Sequence, residues 1–265
     1  MRLNPQDLED LRRAVVILEN PGFAIRISNA IGTPIEKTFD LLPQTWSASV
    51  HEATQKAIGK ALEVAIATLD SNNAWGESSN ATHKILSGVS GAVGGFFGAP
   101  ALALELPITT TIMLRSIADI GRSEGEYIAA PRAKLACLEV FAFGGKSAWD
   151  DGAETGYYAV RATLANTVSE AAQYLSGRSY FEKSAPVLIR LVTKVASRFG
   201  ITVSQKLAAQ AVPTIGALGG ASINLLFMNH FQGMARGHFI VRRLERSYGE
   251  EAIRLAYDRL RNDYT

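Results

Sequence analysis

Two long stretches without a charged side chain decide how this chain folds. The first is ILSGVSGAVGGFFGAPALAL, residues 85–104, and the second is LAAQAVPTIGALGGASINLLFMNHFQGMA, residues 207–235. Neither stretch alternates apolar and polar side chains as a half-buried β-strand does. We therefore predict that both are helical and that their glycines let neighbouring helices pack closely. Proline and glycine at residues 98–100 and 213–216 are expected to divide each stretch into a helical hairpin.

Start and stop signals predict further helices outside these stretches. Asn4 followed by Pro5 is typical of a helix start, and NPG at residues 20–22 is typical of a stop. Thr33 and Glu36 have the spacing of a capping box. The other predicted helices span residues 47–70, 100–122, 131–143, 157–175, 186–198 with a stop at Gly200, 236–248 and 250–262.

We expect these helices to form one domain over residues 1–265, with the helices of residues 1–45 packing on the main bundle. Short similarities relate the two stretches: GAVGG at residues 91–95 resembles GALGG at residues 216–220, and RSEG at residues 122–125 resembles RSYG at residues 246–249. These are either a pseudo-repeat or a chance similarity of Gly/Ala-rich segments. The predicted fold is an all-α, single-domain multi-helix bundle with two apolar Gly-rich helical hairpins.

Charge and cysteine content exclude several classes of function. The chain has 27 basic and 25 acidic residues and a net charge of +2, which gives no support for nucleic-acid binding. Cys137 is the single cysteine, so an internal disulfide is impossible, and we expect a buried small apolar residue in a reducing compartment. The N-terminal sequence MRLNPQDLEDLRR has no apolar signal-peptide core, which favours a cytoplasmic location.

The two stretches also raise the question of a membrane. Each reaches the roughly 20 uncharged residues that a spanning helix needs, and small residues favour close helix contact in lipid. The second stretch, however, contains polar groups that are costly in hydrocarbon, namely Gln210, Asn224, Asn229, His230 and Gln232. We therefore favour buried core helices over reversible membrane attachment, and attachment over spanning. The arginines of residues 236–261 are interpreted as part of a solvated helix face, with attraction to anionic lipid as the alternative.

The central and C-terminal segments resemble the EcsC protein family of bacteria. The segments that carry the resemblance are ELPITT at residues 105–110, MLRSI at residues 113–117, VPTIGA at residues 212–217 through Asn224, and residues 235–249. The first is similar to the family's acidic-Leu-Pro motif, with Glu105 where Asp is more usual. The family occurs beside an ABC transporter and has no established biochemical role, so the resemblance implies a membrane context without a reaction.

Glu105 is the most informative candidate site residue. It lies between apolar runs and shortly before Pro107, which is expected to kink its helix, so the carboxylate must be paired, protonated or facing a cavity. A structural acid satisfied by a helix N-terminus or an arginine is the favoured interpretation. If the repeat is real, Asn224 shares a polar network with Glu105, and Arg115 and Asp119 can pair one turn apart. The candidate ligand-binding residues are Glu105, Pro107, Arg115, Asp119, Asn224 and His230.

A second group of polar residues lies within residues 146–161. Asp150, Asp151, Tyr158 and Arg161 are candidates for acid–base chemistry or a cation site, although a solvated loop that caps the following helix is favoured. The histidines lack metal-ligand spacing and the glycines lack the context of either nucleotide-binding motif, so we expect no metal and no cofactor.

Two functions stay open on these observations. The leading hypothesis is a non-enzymatic helical protein that associates with a membrane surface or a membrane-protein partner, at the inner face of the membrane. The competing hypothesis is an enzyme or a receptor for a small apolar or lipid-like ligand, bound in an interhelical pocket near Glu105 and Asn224. A structural subunit of an oligomer is compatible with the same sequence, which fixes no oligomeric state.

Overall fold

Nine α-helices make up most of the chain that the structure describes. The computed structural model describes residues 3–19, 23–42, 45–69, 99–145, 156–177, 182, 184–212 and 216–263, and no β-strand occurs in these ranges. The helices are α1 (Pro5–Glu19), α2 (Phe23–Ile31), α3 (Trp46–Thr68), α4 (Ala99–Ser123), α5 (Pro131–Glu139), α6 (Tyr157–Ser176), α7 (Pro186–Gln210), α8 (Gly216–Tyr248) and α9 (Glu250–Asp263). The predicted all-α fold is confirmed.

Local sequence signals account for several helix boundaries. The Asn4 side chain accepts a hydrogen bond from the Asp7 amide at 2.7 Å, which caps α1. Pro131 and Pro186 stand in the first turns of α5 and α7, where a missing amide proton costs nothing. In α3 one row of alanines spaced four residues apart is buried: Ala53, Ala57, Ala61 and Ala65.

Three predicted boundaries are wrong. One is the helix start at residue 236, because α8 runs without a break from Gly216 to Tyr248. The expected stop at Gly200 does not occur, because α7 continues to Gln210. A methyl group on Gly200 would lie 3.7 Å from the Thr54 hydroxyl oxygen, so this glycine stands where α7 packs on α3 rather than at a helix end. The expected capping box at Thr33 and Glu36 is also absent: a 3-10 helix (Ile35–Leu41) starts there without a side-chain cap.

The second charge-free stretch contributes the longest helix of the described residues. α7 ends at Gln210 and the 33-residue helix α8 begins at Gly216, on either side of the expected break. α1 runs antiparallel to α8, since Ile17 lies beside Gly233 and Asp10 binds Arg243. α4 runs parallel to α8, since Gln232 donates to the Ser116 hydroxyl at 3.0 Å and Arg242 binds Glu126. The part of the first stretch at residues 85–98 lies outside the described residues.

A cluster of phenylalanines occupies the centre of the core. Phe231 contacts Phe141 and Phe227 with ring centroids 5.5 and 5.2 Å apart, and Phe199 lies 5.5 Å away. These rings come from α7, α8 and the short 3-10 turn after α5, so the cluster joins three elements distant in sequence. Within the described ranges, no helix is both long enough and apolar enough to cross a membrane.

Both copies of the Arg-Ser-x-Gly similarity end a helix. Gly125 follows α4 with a φ of 76°, and the Glu126 amide donates to the Gly121 carbonyl at 2.9 Å, as in a Schellman motif. Gly249 follows α8 with a φ of 87°, and its amide donates to the Glu245 carbonyl at 2.9 Å. This part of the proposed repeat therefore has one structural role in both copies, whereas residues 91–95 lie outside the described residues.

Candidate functional site

The carboxylate of Glu105 pairs with a lysine. Lys206 Nζ on α7 lies 3.1 Å from Glu105 Oε1 on α4. The Lys206 side chain is only 4% exposed and the Glu105 side chain 26% exposed. The ammonium group also lies 5.0 Å from the centre of the Phe227 ring on α8. Glu105 is thus paired, but its partner is Lys206, which immediately precedes the second charge-free stretch, and not the helix N-terminus or arginine that we favoured.

Asn224 and His230 lie on α8, the helix that also carries Phe227. Asn224 Oδ1 is buried and, within the described residues, has no hydrogen-bond partner, so it forms no part of the expected polar network with Glu105 there. His230 is 1% exposed and packs on Phe23 with ring centroids 5.3 Å apart. Burial, with a smaller effect of the Arg26 charge, lowers the pKa of His230 to about 3. Pro107 lies inside α4, where its carbonyl accepts a hydrogen bond from the Thr111 hydroxyl at 2.8 Å.

The expected pairing of Arg115 with Asp119 is wrong. Asp119 instead accepts a hydrogen bond from Arg122, three residues further along α4. Arg122 also donates to the Leu69 carbonyl at 3.1 Å, so it is held at the end of α3 in reach of Asp119. The Asp119 carboxylate therefore belongs to the contact between the ends of α3 and α4.

Tyr158 and Arg161, from the second predicted group, meet at one carboxylate. Arg161 donates to both oxygens of Glu245, at 2.6 and 3.1 Å, and the Tyr158 hydroxyl donates to the same carboxylate at 2.9 Å. The Arg161 and Glu245 side chains are 17% and 10% exposed, so this two-pronged ion pair is largely shielded from solvent. It fastens α6 to the C-terminal half of α8. Asp150 and Asp151 lie outside the described residues.

A buried row of titratable groups lies beside this ion pair. The Tyr157 hydroxyl is 2.9 Å from His238 Nδ1, and His238 Nε2 is 3.9 Å from Glu139 Oε2. Burial lowers the pKa of His238, and the charges of Arg242 and Arg161 lower it further. Burial raises the pKa values of Glu139 and Tyr157 despite the nearby arginines. All three shifts favour the neutral form of the group concerned.

Sequence reasoning missed both His238 and Glu139. His238 was considered only as a metal ligand, and its partner Tyr157 lies far away in sequence. Glu139 did leave a signal, because it is the single charged residue in LACLEVFAF, residues 135–143. An isolated acid in such a segment is expected to be buried. The same kind of argument identified Glu105. Within the described ranges, no group of three or more His, Cys, Asp or Glu side chains is placed to hold a metal ion.

A second buried ion pair lies near the first, also on the C-terminal half of α8. Arg242 donates to both carboxylate oxygens of Glu126, at 2.7 and 3.2 Å, and Arg246 binds the same carboxylate. Burial of Glu126 raises its pKa, but the hydrogen bonds and charges of the two arginines outweigh that effect, so the pKa lies below its usual value. The turn after α4 is thereby tied to the C-terminal half of α8.

Comparison with known proteins extends the sequence resemblance to almost the whole chain. The EcsC protein family matches residues 4–244 of the 265. No curated protein and no solved structure matches the chain. The matched range contains the Glu105–Lys206 pair and the Tyr157–His238–Glu139 row, and it ends one residue before Glu245. On this evidence the chain belongs to the EcsC protein family.

Proposed function

We propose that this protein attaches reversibly to the surface of a lipid membrane through three exposed apolar side chains at one end of the helix bundle. These are Leu104, Ile108 and Leu225, which we call the apolar end. Their exposed fractions are 73%, 49% and 60%. This exposure is the observation that carries the proposal, because large aliphatic side chains gain free energy by leaving water.

The placement of the three side chains supports a common surface. Leu104 and Ile108 are one turn apart on α4 and therefore share a helix face. α4 and α8 run parallel, with Ser116 level with Gln232. Because both helices rise equally per residue, Ile108 lies at about the same level as Leu225. Leu104 also ends the charge-free stretch of residues 85–104.

The charge and size of the apolar end suit reversible attachment. The one carboxylate next to Leu104, that of Glu105, is neutralised by Lys206 at 3.1 Å. Transferring a Leu or Ile side chain out of water contributes about 1.5–3 kcal/mol when complete. Three partly exposed side chains therefore supply roughly 3–5 kcal/mol, which is in the range of a reversible surface anchor.

Vesicle flotation tests the proposal. We expect the protein to float with vesicles of phosphatidylcholine and phosphatidylglycerol, and the variant L104D/I108D/L225D to stay in the bottom fraction. Leu255→Asp is the matched control, because Leu255 is 54% exposed but lies on α9. Binding should persist at high salt, which screens charge but not apolar contacts. Equal flotation of the triple variant and the parent protein would contradict the proposal.

A second candidate function rests on Asn224 and His230. Asn224 Oδ1 and His230 Nε2 are buried and, within the described part of the chain, have no hydrogen-bond partner. Unpaired buried polar atoms can mark the place of a small ligand between helices. Native mass spectrometry of the purified protein tests this receptor function: a bound apolar or lipid-like molecule that is lost in Asn224→Leu supports it, and a ligand-free mass contradicts it.

A further inference from the structure

A small cavity opens between α5, α6, α8 and α9, beside the row of titratable groups. Its volume is about 140 Å³. Four arginines and two glutamates line it together with Tyr158 and an apolar wall of Ala162, Ala165 and Val168; the charged residues are Arg132, Arg161, Arg242, Arg254, Glu139 and Glu250. Drug-sized ligands occupy 300–1,000 Å³ as a rule, so this volume suits a group of only a few heavy atoms.

The arginines of the cavity divide into paired and unpaired members. Arg161 is matched by Glu245, and Arg242 is matched by Glu126. Arg132 and Arg254 have no ion pair within the described residues, and both are exposed at the mouth of the cavity. Glu250, also exposed, is the one carboxylate that faces them there. The mouth therefore holds two available guanidinium groups.

The inner wall offers an unpartnered polar group. The Glu139 side chain is 8% exposed, and its one polar contact within the described residues is His238 at 3.9 Å, beyond hydrogen-bond distance. Glu139 nevertheless lines the cavity. Burial raises the pKa of its carboxyl group, although the charges of Arg161, Arg242 and Arg132 oppose this. A protonated carboxyl can donate a hydrogen bond to a bound oxygen.

We propose that this cavity binds a small soluble oxyanion, namely inorganic phosphate or the phosphate group of a small phosphate ester. Arg132 and Arg254 supply the forked donors that match phosphate oxygens. Glu139, when protonated, donates from the inner wall, and Ala162, Ala165 and Val168 form the apolar side of the cavity. The paired Arg161 and Arg242 complete the wall, and their own carboxylates hold them in place.

The position of the cavity favours a soluble phosphate over a lipid headgroup. Arg242 lies about 26 Å from Leu225 along α8, at 1.5 Å per residue. A membrane that contacts the apolar end with α8 along its normal therefore does not reach the cavity. The inference does not depend on the membrane proposal, because its evidence comes from α5, α6, α9 and the other half of α8.

Isothermal titration of the full chain with inorganic phosphate tests the inference. We expect binding that is at least about tenfold weaker in Arg132→Gln and in Arg254→Gln, since each substitution removes a charged hydrogen-bonding group. Both side chains are exposed, so the variants should fold. Arg259→Gln is the matched control, because Arg259 is exposed on the same helix but does not line the cavity. Glu139→Gln should retain binding, since an amide also donates.

Two results would overturn the inference. One is the absence of binding to phosphate at millimolar concentration, with chloride of equal ionic strength as the reference. The other is a double variant R132Q/R254Q that binds phosphate as the parent does. Flotation on phosphatidic acid vesicles separates the two sources of phosphate: the double variant should float unchanged, and a loss of flotation without phosphate binding would assign the cavity to a lipid headgroup instead.

Discussion

A lysine buried beside an apolar stretch needs partners that compensate for its lost contact with water. Lys206 is 4% exposed as a side chain, and its neighbours include the Glu105 carboxylate and the face of the Phe227 ring. Removal of one partner of a buried pair leaves an uncompensated charge, whereas replacement of both by apolar groups of similar size is often tolerated. Removal of one member of the Glu105–Lys206 pair is therefore expected to cost more free energy than the attraction between the two charges contributes.

Substitution of Glu105 is expected to be far more damaging than substitution of a surface glutamate. Glu105→Ala should lower the free energy of unfolding by about 1–3 kcal/mol, because Lys206 is left buried and unpaired. Glu170→Ala, which removes an exposed contact to Arg190 between α6 and α7, should cost under ~0.5 kcal/mol. Urea denaturation measures both. Equal losses, or no recovery in the double variant E105L/K206M, would contradict this account.

Single site residues could be predicted where the evidence lay in their neighbours along the sequence. Their partners on other helices could not. Glu105 could be identified because a charge between apolar runs must be compensated wherever the chain goes. Its partner could not, because Lys206 comes from a different helix. The same limit hid the Tyr157–His238 contact, and it produced the mistaken Arg115–Asp119 pair. Helix spacing permits that pair, but Arg122 displaces it through its bond to the Leu69 carbonyl.

At the scale of elements, close packing of helices depends on particular glycines. A methyl group added to Gly237 on α8 would lie 2.7 Å from Leu18 Cγ on α1, and one added to Gly121 on α4 would lie 3.1 Å from the Phe239 ring on α8. This role was expected of the glycines in the charge-free stretches. Among the described residues, Gly237 and Gly121 perform it, 2 and 17 residues beyond the ends of those stretches.

Two glycine-to-alanine substitutions should therefore have opposite effects. Gly237→Ala is expected to destabilise the protein by about 1–3 kcal/mol, since Leu18 and α1 must move. Gly59→Ala is expected to stabilise it by about 0.4–1 kcal/mol, because Gly59 lies within α3 and nothing stands within 4 Å of its added methyl group. Thermal unfolding followed by circular dichroism distinguishes them, and destabilisation of the same size in both would rule out the packing argument.

Helix boundaries were predictable where the signal acts within one turn. The Asn4 cap and the prolines at the starts of α5 and α7 are local devices, and they function as predicted. Gly200 was misjudged, because a glycine signals either a helix end or a close contact, and only the packing of α3 on α7 decides between them. α2 was not predicted, since its nine residues are held by burial of Phe23 and Ile27.

At the scale of the whole molecule, buried neutral groups make stability depend on pH. His230 has its pKa lowered to about 3 in the folded state, and His238 is shifted in the same direction. Protons therefore bind the unfolded chain more readily, and stability present above pH 6.5 is lost as the pH falls toward 3. Glu139 acts oppositely: its raised pKa lets the folded state take up a proton first, so acidification strengthens its contribution.

A variant that removes one histidine isolates this effect. In the wild type each pH unit below 6.5 should cost up to about 1.4 kcal/mol through His230. His230→Phe should flatten the dependence of unfolding free energy on pH between 6.5 and 4, because the ring stays apolar at all pH values. His51→Gln, at an exposed position, serves as the control for removal of an imidazole. An unchanged slope in the His230 variant would show that the pKa of this residue does not differ between the folded and unfolded states.

The turn at Gly125 helps to hold the first half of the chain against the second half. Its backbone conformation, with a φ of 76°, is strained for every amino acid that carries a Cβ. That conformation places Glu126 where Arg242 and Arg246 bind its carboxylate. Arg242 also lines the proposed phosphate cavity. Gly125, which has no side chain, thus helps to set the position of the turn after α4 relative to the C-terminal half of α8. Any side chain introduced at Gly125 would affect the anion site indirectly. It would weaken the contact of Glu126 with Arg242, and Arg242 lines the cavity.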